Sequence, residues 1–236
     1  MNWTQWLTSS IGKKIVMGVT GLFLVSFLVV HVGVNACIFK DLFVPDDDGD
    51  MFNRAADFMG RTVVIRIMEV VLFLGFFIHI IQGLVLEFEN RIKRKKGYQV
   101  DMGNRGSTWY SRSMGLLGTL LLLFLILHWS HFWVPSRFTH AGLEYPKVLS
   151  NQRLAHDMFQ LMKETFSQWW VVIVYIAGCM SLAWHLAHGF QSAFRTLGLH
   201  NSRYLKMVNA FGIGFSIIVP LLFALMPLSF KMGWIG

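Results

Sequence analysis

Five apolar runs, each long enough to cross a bilayer, leave this chain few ways to fold. A membrane span needs about 20 residues of helix, and runs of that order lie at about 14–36, 62–87, 113–134, 168–191 and 207–230. Inside lipid the backbone must bond its own N–H and C=O groups, so runs of this kind are read as helices. Composition agrees: 14% of residues are charged and 54% are hydrophobic, whereas a soluble domain carries about 25% charged residues. The expectation is an all-α integral membrane bundle of five transmembrane helices, one domain over residues 1–236. The first run lacks a small-residue cleavage site after it and reads as a retained helix.

Loop charge sets the expected orientation. The N-terminus and the 88–112 and 191–206 loops hold twelve Lys and Arg residues. The loops at 35–60 and 132–167, with Lys231, hold seven, and nine acids accompany them. The positive-inside rule then puts the N-terminus in the cytoplasm and the C-terminus outside. The net charge of +8 therefore reports topology, and no nucleic-acid partner is implied. Trp3 and Trp6 suit a start that lies at the membrane surface. Asp41, Asp46, Asp47, Asp48, Asp50 and Asp57 read as a solvated acidic loop, since the spacing and final Glu of a calcium loop are missing. Pro135 is expected to end the third helix. Leu154, Met158, Leu161 and Met162 suggest a short interfacial helix, and Pro220 a kink in the fifth span.

Four of these runs carry an interior histidine, and they match in pairs. Gly18, Gly21 and His31 repeat the spacing of Gly115, Gly118 and His128. His79 with Gly83 repeats that of His185 with Gly189. At 1.5 Å per residue, His31 and His128 lie about 25 Å from the inner charges, and His79 and His185 about 15–18 Å. The four thus form an outer and an inner level pair. A planar porphyrin takes one axial ligand on each face, and two imidazoles at equal depth supply both, leaving no open position on the iron. Two bis-histidine b haems stacked across the bilayer would make an electron wire. Gly21 and Gly118, like Gly83 and Gly189, would allow a porphyrin or helix to come close to the backbone.

His131 and His188, each one turn from a proposed ligand, are the competitors; only His128 and His185 keep the repeated spacings. His188 is then a candidate contact for a propionate of the inner haem. His140, His156 and His200 fall in loops or at interfaces. Arg66 and Glu69 stand i, i+3 within the second run and are expected to pair. They serve as a buried ion pair or a propionate clamp, or else Glu69 accepts a proton from a quinol near the outer haem. Cys37 and Cys179 form no C-x-x-C motif and read as free thiols.

The runs TGLFLVSFLVVH ending at His31, FFIHIIQG around His79, LGTLLLLFLILH ending at His128 and WHLAHGFQSAFRTLG around His185 carry a family resemblance. The chain resembles the di-haem cytochrome b membrane subunit of succinate dehydrogenase and fumarate reductase, in its single-polypeptide five-helix bacterial form. That resemblance implies His31 and His128 as ligands of the outer haem, and His79 and His185 of the inner. It also implies a flavoprotein and an iron–sulfur partner over the cytoplasmic basic loops, menaquinone as the membrane substrate, and a bacterial cytoplasmic membrane. Glu69 matches no family motif and is read from its position alone. Nothing in the chain is fitted to oxidise succinate itself, as it has no dinucleotide glycine fingerprint and no cysteine cluster. The alternatives are a cytochrome b subunit of another respiratory enzyme, of formate dehydrogenase or hydrogenase type, and a haem-free transporter or passive anchor.

Overall fold

The computed structural model of the chain describes residues 2–44, 47–93, 109–143, 146–199 and 202–236. Asp46, Arg94, Lys95, Lys96, Asp101, Arg105 and His200 lie outside the described residues. Helix α1, Trp3–Thr8, is separated by an extended Ser9 from α2, Ser10–Asn35, which tightens into a 3₁₀ segment over Ala36–Leu42. Then come α3 (Asp50–Arg61), α4 (Val63–Lys93), α5 (Trp109–Arg112) and α6 (Met114–His128). A two-residue antiparallel ladder joins β1 (Lys147–Val148) to β2 (Leu154–Ala155). Helices α7 (Met158–Thr165), α8 (Trp169–Thr196) and α9 (Ser202–Lys231) complete the chain.

Five helical stretches are long and apolar enough to cross a membrane: Ser10–Leu42, Val63–Ile92, Met114–Thr139, Trp169–Thr196 and Tyr204–Lys231. By helix length and hydropathy this is an all-α, multi-pass membrane protein. Their surfaces suit lipid. On α4, Val63, Ile67, Val70, Leu74, Ile81 and Leu84 are all more than half exposed, an apolar face that lipid tails cover at no cost. Helix α8 stops in a Schellman turn. Gly198 takes φ +75°, which glycine adopts without strain, and the N–H groups of Gly198 and Leu199 close on Arg195 and Phe194. Helix α9 continues through both Pro220 and Pro227.

Three expectations are corrected. Of the acidic segment, Asp50 and Asp57 lie in a helix, α3, and Asp47 just before it is buried and paired with Lys40 at 2.8 Å. Pro135 does not end the third span. The helix runs on through two π-helical stretches, Trp129–Trp133 and Pro135–Thr139, where the His140 N–H reaches the Pro135 carbonyl. Such i→i+5 turns are wide enough to take in a residue that cannot donate. The interfacial helix begins only at Met158, with Leu154 in β2.

Contacts divide the chain into two compact units. The first comprises Met1–Phe27, Leu72–Leu122 and Ser181–Ile218. Its helices meet at small residues. Gly18 faces Ala193, the Phe23 ring fills the notch at Gly75, and Phe190 fills that at Gly212. The Ser181 hydroxyl donates to the Leu117 carbonyl at 3.2 Å, and Lys13 pairs with Glu89.

The second unit comprises Leu28–Val71, Leu123–Met180 and Val219–Gly236. Here α3 is locked to the start of α7 by a fully buried carboxamide. Asn53 donates to Asp157 at 2.9 Å and accepts from the Phe159 N–H at 3.0 Å. Asp157 in turn caps α7 by accepting from the Gln160 N–H at 3.0 Å. Phe159 is buried against Phe230, with ring centres 5.1 Å apart.

Asp50 ties the start of α3 to the 150 loop by accepting from the Ser150 N–H at 2.8 Å and its hydroxyl at 2.7 Å. Burial alone would raise the Asp50 carboxyl, but these two donors, with Arg54 and Lys147, outweigh it and hold it below the usual value. A depressed carboxyl stabilises the fold above its unfolded pKa and loses that contribution as pH falls through the folded one. The tie is therefore whole at neutral pH and weakens only below about pH 4. Hydrogen exchange at the Ser150 amide should show protection that fades over that acid range. In Asp50→Asn the fading should be absent.

Candidate functional site

Each unit holds one pair of the matched histidines. In the second unit His31 on α2 and His128 at the end of α6 have ring centres 5.8 Å apart with planes at 85°. In the first unit His79 on α4 and His185 on α8 have ring centres 6.3 Å apart with planes at 66°. The two pairings are those that the repeated spacings predict. A metal ion bonded at about 2 Å to an imidazole on either side separates the ring centres by about 6 Å. Both pairs fit that spacing. Among the described residues no three His, Cys, Asp or Glu side chains converge as a metal cluster. Each pair thus offers two imidazole nitrogens.

Some buried polar atoms near the pairs lack a partner among the described residues. The Nδ1 atoms of His128 and His185 and the Nε2 of Gln82, one turn from His79, are buried without a hydrogen-bond partner. Unsatisfied buried groups are rare in native proteins unless a guest or water meets them. Haem fits the two ring pairs by their spacing, and the orphaned Nδ1 atoms are the nitrogens that a ligand bonded through Nε2 leaves free.

The second-unit pair lies in an aromatic cage. Phe223 is 5.3 Å from His31, and Phe124 stacks on His128 at 5.8 Å and 24°. Phe124 reaches that place because Gly178 has no side chain; a Cβ there would lie 2.6 Å from its ring. Phe132 and Tyr175 close the other sides at 5.4 and 6.0 Å from His128. His131 does not compete for the partner ring. Its Nδ1 is 3.0 Å from the Tyr175 hydroxyl, and the two rings are parallel within 5°. His188 lies half-buried on α8, one turn from His185.

The glycines serve a different pair from the one that their spacing suggests. Gly21 and Gly118 accompany His31 and His128 in sequence, but in the fold they border His79 and His185. A Cβ at Gly21 would lie 3.4 Å from Cε1 of His79, and one at Gly118 3.9 Å from Cε1 of His185. The ten residues from each glycine to its own histidine are about 15 Å of helix, which moves it to the other level.

Glu69 is the hub of a polar cluster in the second unit. Arg66 donates to Oε2 at 2.7 Å, the expected i, i+3 pair. Trp133 Nε1 and Arg137 Nε donate to Oε1 at 2.6 and 3.2 Å. Three donors hold this carboxylate and leave about one of its lone-pair sites open, so it is clamped in place and can still take a proton. Sequence reasoning missed Trp133 and Arg137. They stand i, i+4, but nothing local tells which residue, more than sixty positions earlier, they meet. An open cleft of about 640 Å³ in the same unit is lined by Cys37, Lys40, Arg54, Phe58, Arg61 and Arg153 among others, and none of the histidines lines it.

Comparison with models of known protein families, with curated proteins and with solved structures finds no match to this chain.

Proposed function

We propose that this chain is the di-haem cytochrome b membrane anchor of a bacterial succinate:menaquinone oxidoreductase, the succinate dehydrogenase or fumarate reductase type. The observation that carries the reading is the pair of imidazole pairs, each with ring centres about 6 Å apart and no third protein ligand among the described residues. His31 and His128 would hold one haem b, and His79 and His185 the other. Bound haem supplies one-electron transfer without an open coordination site. The chain's residues do the rest: the cage of Phe124, Phe132, Tyr175 and Phe223 excludes water from one pair, and Gly21 and Gly118 leave room beside the other.

On this reading the N-terminus is cytoplasmic, and the basic loops dock an iron–sulfur subunit, which itself carries a flavoprotein. Succinate and fumarate are handled by those partners, and this chain passes electrons between them and menaquinone in the lipid. His188 and Arg66 would meet propionates, and Glu69 would organise the quinone end.

The test is haem b per purified chain by pyridine haemochrome, with a reduced-minus-oxidised spectrum. Two low-spin haems and a co-purifying flavoprotein are expected. Two haems with a flavin-free partner would point to another respiratory enzyme, and no haem to a transporter or bare anchor. Glu69→Gln removes one charge facing two guanidinium groups. If Glu69 takes the quinol proton, quinol-linked turnover should fall by about 10²–10⁴-fold, with haem content unchanged. Unchanged turnover would leave Glu69 a clamp only.

A further inference from the structure

We propose that Thr20 is a positioning residue that selects the iron-binding tautomer of His79 and strengthens it as a ligand; this rests on the di-haem reading above. The Thr20 hydroxyl lies 2.8 Å from the Val16 carbonyl and 3.2 Å from that of Met17, both acceptors only. It also lies 3.2 Å from Nδ1 of His79. A hydroxyl has one proton and two lone pairs. With the proton on the nearer carbonyl, the oxygen presents a lone pair to the imidazole, and the contact is attractive only when Nδ1 carries hydrogen. Nε2 is then bare, with its lone pair free for a metal.

Gly21, the next residue, completes the seat. Its backbone borders the Cε1 edge of the same ring, where a Cβ would lie 3.4 Å away. Hydroxyl and glycine together fix both the proton and the angle of the ring.

Two of the other ligands lack this arrangement among the described residues. Nδ1 of His128 and of His185 has no hydrogen-bond partner among the described residues. An acceptor on the far nitrogen raises the basicity of a ligating imidazole, and its removal costs about 10–100-fold in metal affinity or activity. A more basic ligand favours oxidised iron, so Thr20 holds the potential of this one haem down.

The experiment is a redox titration of the purified complex, wild type beside Thr20→Val and Thr20→Ser, with haem content measured on each. The wave lost in His79→Ala identifies the haem concerned. Val keeps the shape and removes the hydroxyl, and Ser keeps the hydroxyl. In Thr20→Val that wave alone should move to higher potential, by up to about tenfold in the reduced-to-oxidised ratio, or about 59 mV for one electron. Thr20→Ser should titrate as wild type. Loss of that haem in Val with retention in Ser would equally support the role. An unmoved wave in Val, a shift of both waves together, or the same change in Ser as in Val would overturn it while leaving the di-haem reading intact. A wild-type protein without haem would overturn both.

Discussion

Replacing His79 or His185 with alanine is expected to remove one haem from the purified protein and leave the second in place. The two rings face each other at 6.3 Å within one unit, and no third side chain among the described residues stands ready as a substitute ligand. His31→Ala or His128→Ala should remove the other haem, because that pair is built in a separate unit from separate helix segments. Haem per chain should fall from two to one in each of the four variants. His188→Ala and His131→Ala should keep both, the latter because its ring nitrogen is already engaged with Tyr175. Pyridine haemochrome and the low-spin absorption bands report the outcome. Loss of a haem in His188→Ala, with both kept in His185→Ala, would exchange their roles.

The largest effect on stability is expected at Gly49, outside the spans. It holds φ +69°, and a Cβ there would lie 2.1 Å from the buried ring of Phe159. Valine meets both difficulties, a left-handed backbone that a β-branched residue resists and an overpacked ring, together about 2–5 kcal/mol. The strain falls where α3 is fastened to α7, so the Asn53 bonds to Asp157 and Phe159 should loosen with it. Thermal unfolding in detergent should show a midpoint several degrees lower, with α3 cut earlier by protease. A midpoint equal to that of wild type would mean that α3 contributes little to the fold.

The five spans were legible because lipid imposes a single rule over some twenty residues at a time, and no tertiary contact is needed to apply it. The histidine pairing was legible because depth along a helix is arithmetic. What failed is what depends on company. Met51, Ala55 and Phe58 recur at helical spacing, but six aspartates masked the pattern; in the fold Asp47 is paired with Lys40 and Asp50 accepts both donors of Ser150. Pro135 misled because the rule that it stops a helix assumes four-residue turns. Gly21 and Gly118 stand beside His79 and His185, a neighbourhood that their spacing to His31 and His128 does not tell. Thr20 gave no signal, since a threonine beside a glycine in a membrane helix is ordinary until its hydroxyl is seen beside an imidazole.

The wide turns after His128 have a consequence for how this helix can change. A π turn is an α-helix with one residue too many, and each residue advances the helix by about 100°. The stretches at Trp129–Trp133 and Pro135–Thr139 thus reset the rotational phase between His128 and the side chains beyond it. Trp133 and Arg137 reach Glu69 in a phase that an unbroken α-helix would not give them. One helix therefore carries two independent dials. Deleting a single residue between them would turn the Glu69 end while His128 stays in register, so the ligand and the polar cluster can diverge separately in related chains.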